Sequence, residues 1–230
     1  MSHGRKIARV KLNPPKPADS KKYLLTWAAK DLYYHPDKFP PINRQALFKS
    51  TGFIQLEIGC GTGEFVCGLA EDQSENAFVG IDYSRRAIYS AVNLAAKKRL
   101  GNIKFIKADF KQLYPLLTPS SLSMVFLHFP DPIHKAKQNK HRIFDKTFLN
   151  HMNSALTPDG KISVVTDEEN LFRDMLELAE EDCRYNKTHS KRFVTTFEPR
   201  TKSRFQQAWE RIEQPIYHFE IIKTPMTKKQ

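Results

Sequence analysis

Apolar and polar positions fall into blocks of changing period from residue 53 onward. "FIQLEIG" (53–59) is a short apolar run closed by glycine, the pattern of a buried strand. "EFVCGLAEDQ" (64–73) has helical spacing, and "AFVGID" (77–82) reads as a strand. "SRRAIYSAVNLAAKKRLG" (84–101) predicts a long helix stopped by Gly101. "IKFIKAD" (103–109) and "SLSMVFLHFPDP" (121–132) predict strands, and "IFDKTFLNHMNSALTPDG" (143–160) a helix leaving through Pro-Asp-Gly. A strand at "KISVVTD" (161–167) and a helix at "EENLFRDMLELAEEDC" (168–183) follow, then late strands at "RFVTTFEPR" (192–200) and "PIYHFEIIK" (215–223). Such alternation implies an α/β fold, a mostly parallel sheet with helices on both faces. No strong helix separates the last two strands, which predicts an antiparallel edge strand.

The first 50 residues differ from the rest. Seven cations (Arg5, Lys6, Arg9, Lys11, Lys16, Lys21, Lys22) face one acid, Asp19, and "NPPKP" in their midst excludes regular structure there. This stretch reads as a solvated tail, with an arm touching phosphates as the alternative. "YLLTWAAKDLYY" (23–34) has helical character before "HPDKFPPI" breaks the chain. The expected division is a basic arm and packing helix over 1–50 and one domain over 51–230.

Composition narrows the class. The chain has 230 residues, 40% hydrophobic and 11% aromatic, as globular domains do. Its 37 Lys+Arg against 25 Asp+Glu leave a net charge of +12, which favours a polyanionic partner, nucleic acid before a membrane surface. Cys60, Cys67 and Cys183 include no C-x-x-C pair, which argues against a disulfide framework and a structural zinc site. His128, His134, His141 and His151 offer no zinc-ligand spacing, so no metal is expected. No apolar run approaches a membrane span, and the N-terminus has no signal-peptide core. These features predict a cytoplasmic protein without membrane contact, monomer or homodimer.

Candidate chemistry begins at "LEIGCGTGEF" (56–65). Gly59, Gly61 and Gly63 let the backbone turn tightly against a ligand, and the following helix offers free amides. The spacing is G-x-G-x-G. Glu57 sits where it repels a pyrophosphate but holds a sulfonium or an amino group. Asp82, at the end of the second strand, is placed for both ribose hydroxyls, and Asp109, after the third, for an adenine amino group. S-adenosylmethionine suits this set better than NAD.

"FPDPIHKAKQNKHRI" (129–143) then sets Asp131 between two prolines at the head of a basic loop. It resembles the F-P-D-P-W-P-K-K-x-H-x-K-R-R segment of the bacterial-type tRNA (guanine-N7-)-methyltransferase family. "LEIGCGTGEF", "VGIDYS", "ADF", "VVTDEENLF" and "TTFEPR…QPIYHFEI" fit that family's other motifs in order and spacing, over most of the chain from Phe53. The resemblance implies a Rossmann-like class I methyltransferase fold and methyl transfer from S-adenosylmethionine to guanine N7 in the variable region of tRNA. It implies that Glu57, Asp82, Asp109 and Asp131 meet the cofactor, with Asp131 catalytic. It implies that Lys135, Asp167 and the segment from Thr195 to Glu198 meet the substrate.

The chain departs from the family pattern at Ile133 (Trp), His134 (Pro), Ala136 (a basic position) and Gln138 (His). Its 199–213 segment is longer than the usual link, and Glu213 stands where glycine is common. The chemistry agrees with the resemblance. Guanine N7 carries a free in-plane lone pair, so no general base is needed and Asp131 serves as an oriented anion. Lys135, Lys137, Lys140 and Arg142 then bind the flanking phosphates of a base turned out of its tertiary contacts. Arg184, Lys187, Lys191, Arg192, Arg200, Lys202 and Arg204 are expected to widen that face, while Phe205 and Trp209 belong to the core. Two rivals are a methyltransferase for another RNA site or a small molecule, and a non-catalytic RNA-binding module on the same fold.

Overall fold

A computed structural model describes residues 10–132 and 142–224. Within them the parallel strands are β2 (Ile54–Ile58), β3 (Ala77–Asp82), β4 (Ile103–Lys107), β5 (Leu122–His128) and β6 (Leu156–Thr166). The helices between them are α4 (Glu64–Asp72), α5 (Arg85–Lys97), a 3-10 turn (Phe110–Leu116) and α6 (Lys146–Ala155). After β6 come α7 (Glu169–Glu180), β7 (Tyr185–Lys187), α8 (Arg204–Glu210) and β8 (Tyr217–Lys223). Strands lie in the order β1-β4-β3-β2-β5-β6-β8-β7, β1 being Leu24–Thr26. Every pairing from β1 to β6 is parallel; β8 runs antiparallel to both β6 and β7.

Local chemistry accounts for the elements. Ser84 caps α5 by accepting from the Ala87 amide, and Asp145 caps α6 by accepting from Phe148 at 2.7 Å. The buried stripe of α5 is mostly small (Ala87, Ile88, Ala91, Val92, Ala95), which brings the helix close to its neighbours. Adjacent residues of β3 serve opposite faces: Phe78 joins a cluster with Val66, Ile88 and Phe105, while Val79 and Ile81 join the larger cluster with Leu56, Val125 and Phe148.

Three expectations change. The stretch 23–34 is not one helix: α1 (Pro17–Tyr23) ends there, β1 extends along the open edge of β4, and α2 (Ala29–Tyr34) follows. The unpaired edge of β4 offers hydrogen bonds that outweigh a marginal helical pattern, and Tyr23 is pinned by its hydroxyl to the Leu100 carbonyl at 2.7 Å. α1 also makes part of the expected tail regular, its first turn tolerating Pro17. The Pro-Asp-Gly after α6 is no exit loop; it lies inside β6, where the register with β5 shifts between Leu122 and Met124. The 192–200 stretch forms no strand beyond a bridge of Val194 to His218. Pro199 and exposed Thr195, Thr196 and Glu198 leave it no continuous ladder, and β7 pairs with β8 instead. A short α3 (Arg44–Phe48), capped by Asn43, closes the N-terminal region, and Trp27, Leu32, Ile42 and Leu47 enter the larger cluster.

Candidate active site

Four adjacent parallel strands end at one edge of the sheet, each delivering an acid. Glu57 lies near the end of β2, Asp82 at the end of β3, Asp109 two residues beyond β4 and Asp131 three beyond β5. The crevice at such strand ends is where open α/β sheets bind ligands. Asp167 follows β6 at the same edge, and Val194 pairs with His218 opposite Val165, which brings the adjacent Thr195 near that edge; Glu198, three residues further, is exposed. Lys135, Lys137 and Lys140 lie outside the described residues.

The glycine-rich turn is built by a backbone that reverses on itself. Gly59 and Cys60 donate to the Ile81 carbonyl at 2.8 and 2.9 Å, and Gly63 donates to Cys60 at 2.9 Å. Gly59, Gly61 and Gly63 all have left-handed φ. At Gly61 open space lies where a side chain would stand; at Gly63 a Cβ would come within 2.7 Å of Ala91, so that glycine lets α5 approach. Asp82 braces the turn, accepting from Gly61 at 2.9 Å and from Ser84 at 2.7 Å.

Electrostatics single out Glu57. It is 3% exposed, one carboxylate oxygen has no hydrogen-bond partner, and its carboxyl is held well above the usual range by burial, then by Glu64 and Asp82. The Val66 amide partly offsets this. Asp82 is raised too, by burial against its two amide bonds. A crowded buried anion of this kind calls for a cation, and a sulfonium with its amino group supplies one. Asp109 spends one oxygen on the Lys111 amide at 3.0 Å and is otherwise exposed. Asp131 is exposed beside a turn in which Phe129 has a φ of 51°.

Arg142 pairs with Asp174 of α7 at 2.5 Å, is partly buried, and lines a cavity of about 90 Å³ with Asp131, Phe144, Leu171 and Met175. Most cations of the 184–204 group have acid partners. Arg184 pairs with Asp182, Lys187 and Arg192 share Glu180, Arg200 reaches Asp72, Lys202 Glu210 and Arg204 Glu64. Arg200 and Arg204 meet acids of α4, far away in sequence, which charge counting along the chain does not register. Trp209 is 9% exposed, in the core as expected.

A family model described as "Putative methyltransferase" matches residues 51–219. The tRNA (guanine-N(7)-)-methyltransferase of Rubrobacter xylanophilus is 44% identical over 219 residues, covering 95% of this chain and 98% of that protein. The chain belongs to the tRNA (guanine-N(7)-)-methyltransferase family. A second such relative, from Chloroherpeton thalassium, is 36% identical over 220 residues, 96% of this chain and 97% of its own. The crystal structure of the aminoglycoside resistance methyltransferase NpmB1 shares the fold, with a TM-score of 0.57 at 18% identity, covering 79% of this chain and 94% of that one.

The structure also shows Tyr83, His128 and His218, to which the sequence assigned no part in the site. Tyr83, beside Asp82, is 74% exposed, and its hydroxyl is pushed up by desolvation and then by the charges of Asp82 and Asp131. His128 and His218 sandwich Ser163, at 3.1 and 3.3 Å, in a buried neutral network under the strand ends. Burial lowers both histidines, to about 3 and about 4. The only sequence signal for Tyr83 was its place after a strand-end acid; for the histidines there was none, since the three residues come from three strands. Among the described residues no group of three or more His, Cys, Asp or Glu could hold a metal ion, and no helix is long and apolar enough to cross a membrane.

Proposed function

We propose that this protein transfers a methyl group from S-adenosylmethionine to N7 of a guanine in the variable region of tRNA, leaving 7-methylguanosine and S-adenosylhomocysteine. What carries the reading is the anionic crevice, with buried and incompletely bonded Glu57 at its centre, in a chain of this family. The donor set fits S-adenosylmethionine: carboxylates for its two cationic groups and its hydroxyls, a glycine turn with open space above Gly59 and Gly61, and no pyrophosphate cradle. Bound there, the cofactor supplies an electrophilic methyl on a sulfonium.

The protein's own residues do the rest. Glu57 neutralises the amino and sulfonium side, Asp82 accepts the ribose hydroxyls with the lone pairs its two amide bonds leave, and Asp109 takes the adenine amino group. Gly59, Gly61 and Gly63 shape the turn against the ligand. Asp131 orients the guanine by accepting from its N1–H and exocyclic amino group, and stabilises the positive charge that ring acquires. No group on the enzyme has to remove a proton, so most of the acceleration is positioning. Lys135, Lys137 and Lys140 hold the flanking phosphates; Asp167, Thr195 and Glu198 line the substrate side; and Arg142, tied to Asp174, braces the base pocket. Residues 51–230 carry the methyltransferase site, and the preceding stretch completes the domain by adding β1 to its sheet and Trp27, Leu32, Ile42 and Leu47 to its core, in the cytoplasmic enzyme.

The test is methyl transfer from labelled S-adenosylmethionine to unmodified tRNA transcripts, followed by borohydride–aniline cleavage. Scission at one variable-region guanine is the expected result. Label without scission discards the N7 assignment, and cofactor binding without label points to the RNA-binding module.

A further inference from the structure

The segment 199–213 packs along α4 and reaches the turn at Phe129. Thr201 packs where a Cβ on Gly68 would stand, at 2.1 Å from its Cγ2, so a glycine inside α4 admits this segment against the helix. Arg200 reaches Asp72 at 3.3 Å and Arg204 lies 3.9 Å from Glu64, at the two ends of the same helix. On the other side Gln206, 1% exposed, donates to the Phe197 carbonyl at 2.5 Å and to Glu210 at 2.9 Å. Trp209 and Ile216 bury against Val165, with Phe129, Phe197 and Phe205 packed around them. Phe205 is therefore held from both directions, and its ring stacks on Phe129 with centroids 6.0 Å apart and planes 21° apart.

Phe129 is the strained residue of the site. A left-handed φ of 51° is rare for a bulky aromatic, and the next residue, Pro130, further restricts its backbone. One bond, from its amide to the Val165 carbonyl at 2.7 Å, anchors the turn to β6. A single backbone bond does not choose between turn conformations, whereas the stacked ring does, since any relaxation of φ swings Phe129 off Phe205. Asp131 is two residues on, with Pro130 and Pro132 transmitting the direction of the turn stiffly.

We propose that Phe205 is a positioning residue: its ring, pressed against Phe129, holds the left-handed turn that aims Asp131. This rests on Asp131 being the catalytic carboxylate. The segment 199–213 thereby links α4 to the turn that carries Asp131.

The experiment uses the full chain and compares Phe205→Ala, Phe205→Trp, Phe129→Asn, Asp131→Ala and the double variant at 129 and 205. Phe205→Ala lowers kcat by ~10–100-fold, the cost of a small misplacement of a reacting group. The KM for S-adenosylmethionine and the calorimetric affinity for S-adenosylhomocysteine stay within ~2-fold, while Phe205→Trp keeps most of the rate. Asparagine adopts the left-handed region readily but offers no ring, so adding Phe205→Ala to Phe129→Asn costs no more than ~2-fold further. Multiplying losses in the double variant, wild-type kcat in Phe205→Ala, or loss of S-adenosylhomocysteine binding along with kcat each overturn the proposal. A near-native rate for Asp131→Ala removes the catalytic reading beneath it, and the proposal with it, whatever Phe205→Ala does.

Discussion

Replacing Glu57 by glutamine separates what the site needs from what the fold needs. The side chain is buried, one oxygen lacks a partner, and burial together with Glu64 and Asp82 raises its carboxyl well above the ordinary range. The sign follows from linkage. A raised carboxyl binds its proton more tightly folded than unfolded, so its favourable contribution is complete below the unfolded value of 4.5 and is lost as pH rises through the folded one. Above the ordinary carboxylate range the group therefore costs the free protein stability. Glu57→Gln removes the titratable group at nearly constant volume, which stabilises the ligand-free protein by about 1–2 kcal/mol, the scale of an unmade hydrogen bond at a buried group. For a chain of this size that is a rise in Tm of roughly 2–8 °C. The same change deletes a charge-assisted contact to the cofactor, worth about 1.5–3 kcal/mol, so S-adenosylhomocysteine binds roughly 10–150-fold more weakly. Thermal melts from pH 5 to 8 and calorimetric titration read both quantities. The Tm advantage shrinks toward acid as the wild-type carboxyl takes up its proton. A lower Tm at pH 7.5 with unchanged affinity would refute the argument, because it would mean Glu57 is a satisfied structural residue.

Further outcomes are expected. Asp131→Ala lowers kcat by about 10²–10³ while S-adenosylhomocysteine affinity changes little, as for loss of one oriented stabilising group; single-turnover methylation of a tRNA transcript checks it. Gly63→Ala places a methyl 2.7 Å from the Ala91 Cβ at a left-handed φ of 81°, and denaturant melts register a loss of about 1–3 kcal/mol. His128 and His218 are buried neutral, so each binds its proton less readily folded than unfolded, and stability falls as pH drops from 6.5 toward about 4 and 3. At pH 5 each histidine costs about 2 kcal/mol, and His128→Gln flattens the stability profile between pH 6.5 and 5; an unchanged slope there counts against the buried network.

Much of this protein was legible as a one-dimensional pattern. The strands from 54 to 128, the long helices α5 and α7, and the acids at the strand ends follow from periodicity and position, because in a parallel sheet each strand's end must arrive at the same edge. Glu57, Asp82, Asp109 and Asp131 could thus be grouped before any coordinates. Pairing decided the rest. Whether 23–34 was helix or strand depended on the bare edge of β4, 80 residues away in sequence, and whether 192–200 joined the sheet depended on how β8 shared its outer edge. Charge was hard to read along the chain, since Arg142, Arg200 and Arg204 found their acids on elements only folding brings near. The unpartnered oxygen of Glu57, the buried histidine pair and the Phe129–Phe205 stack likewise have no sequence signature. Burial and orientation are properties of the surroundings, and those exist only after distant segments have met.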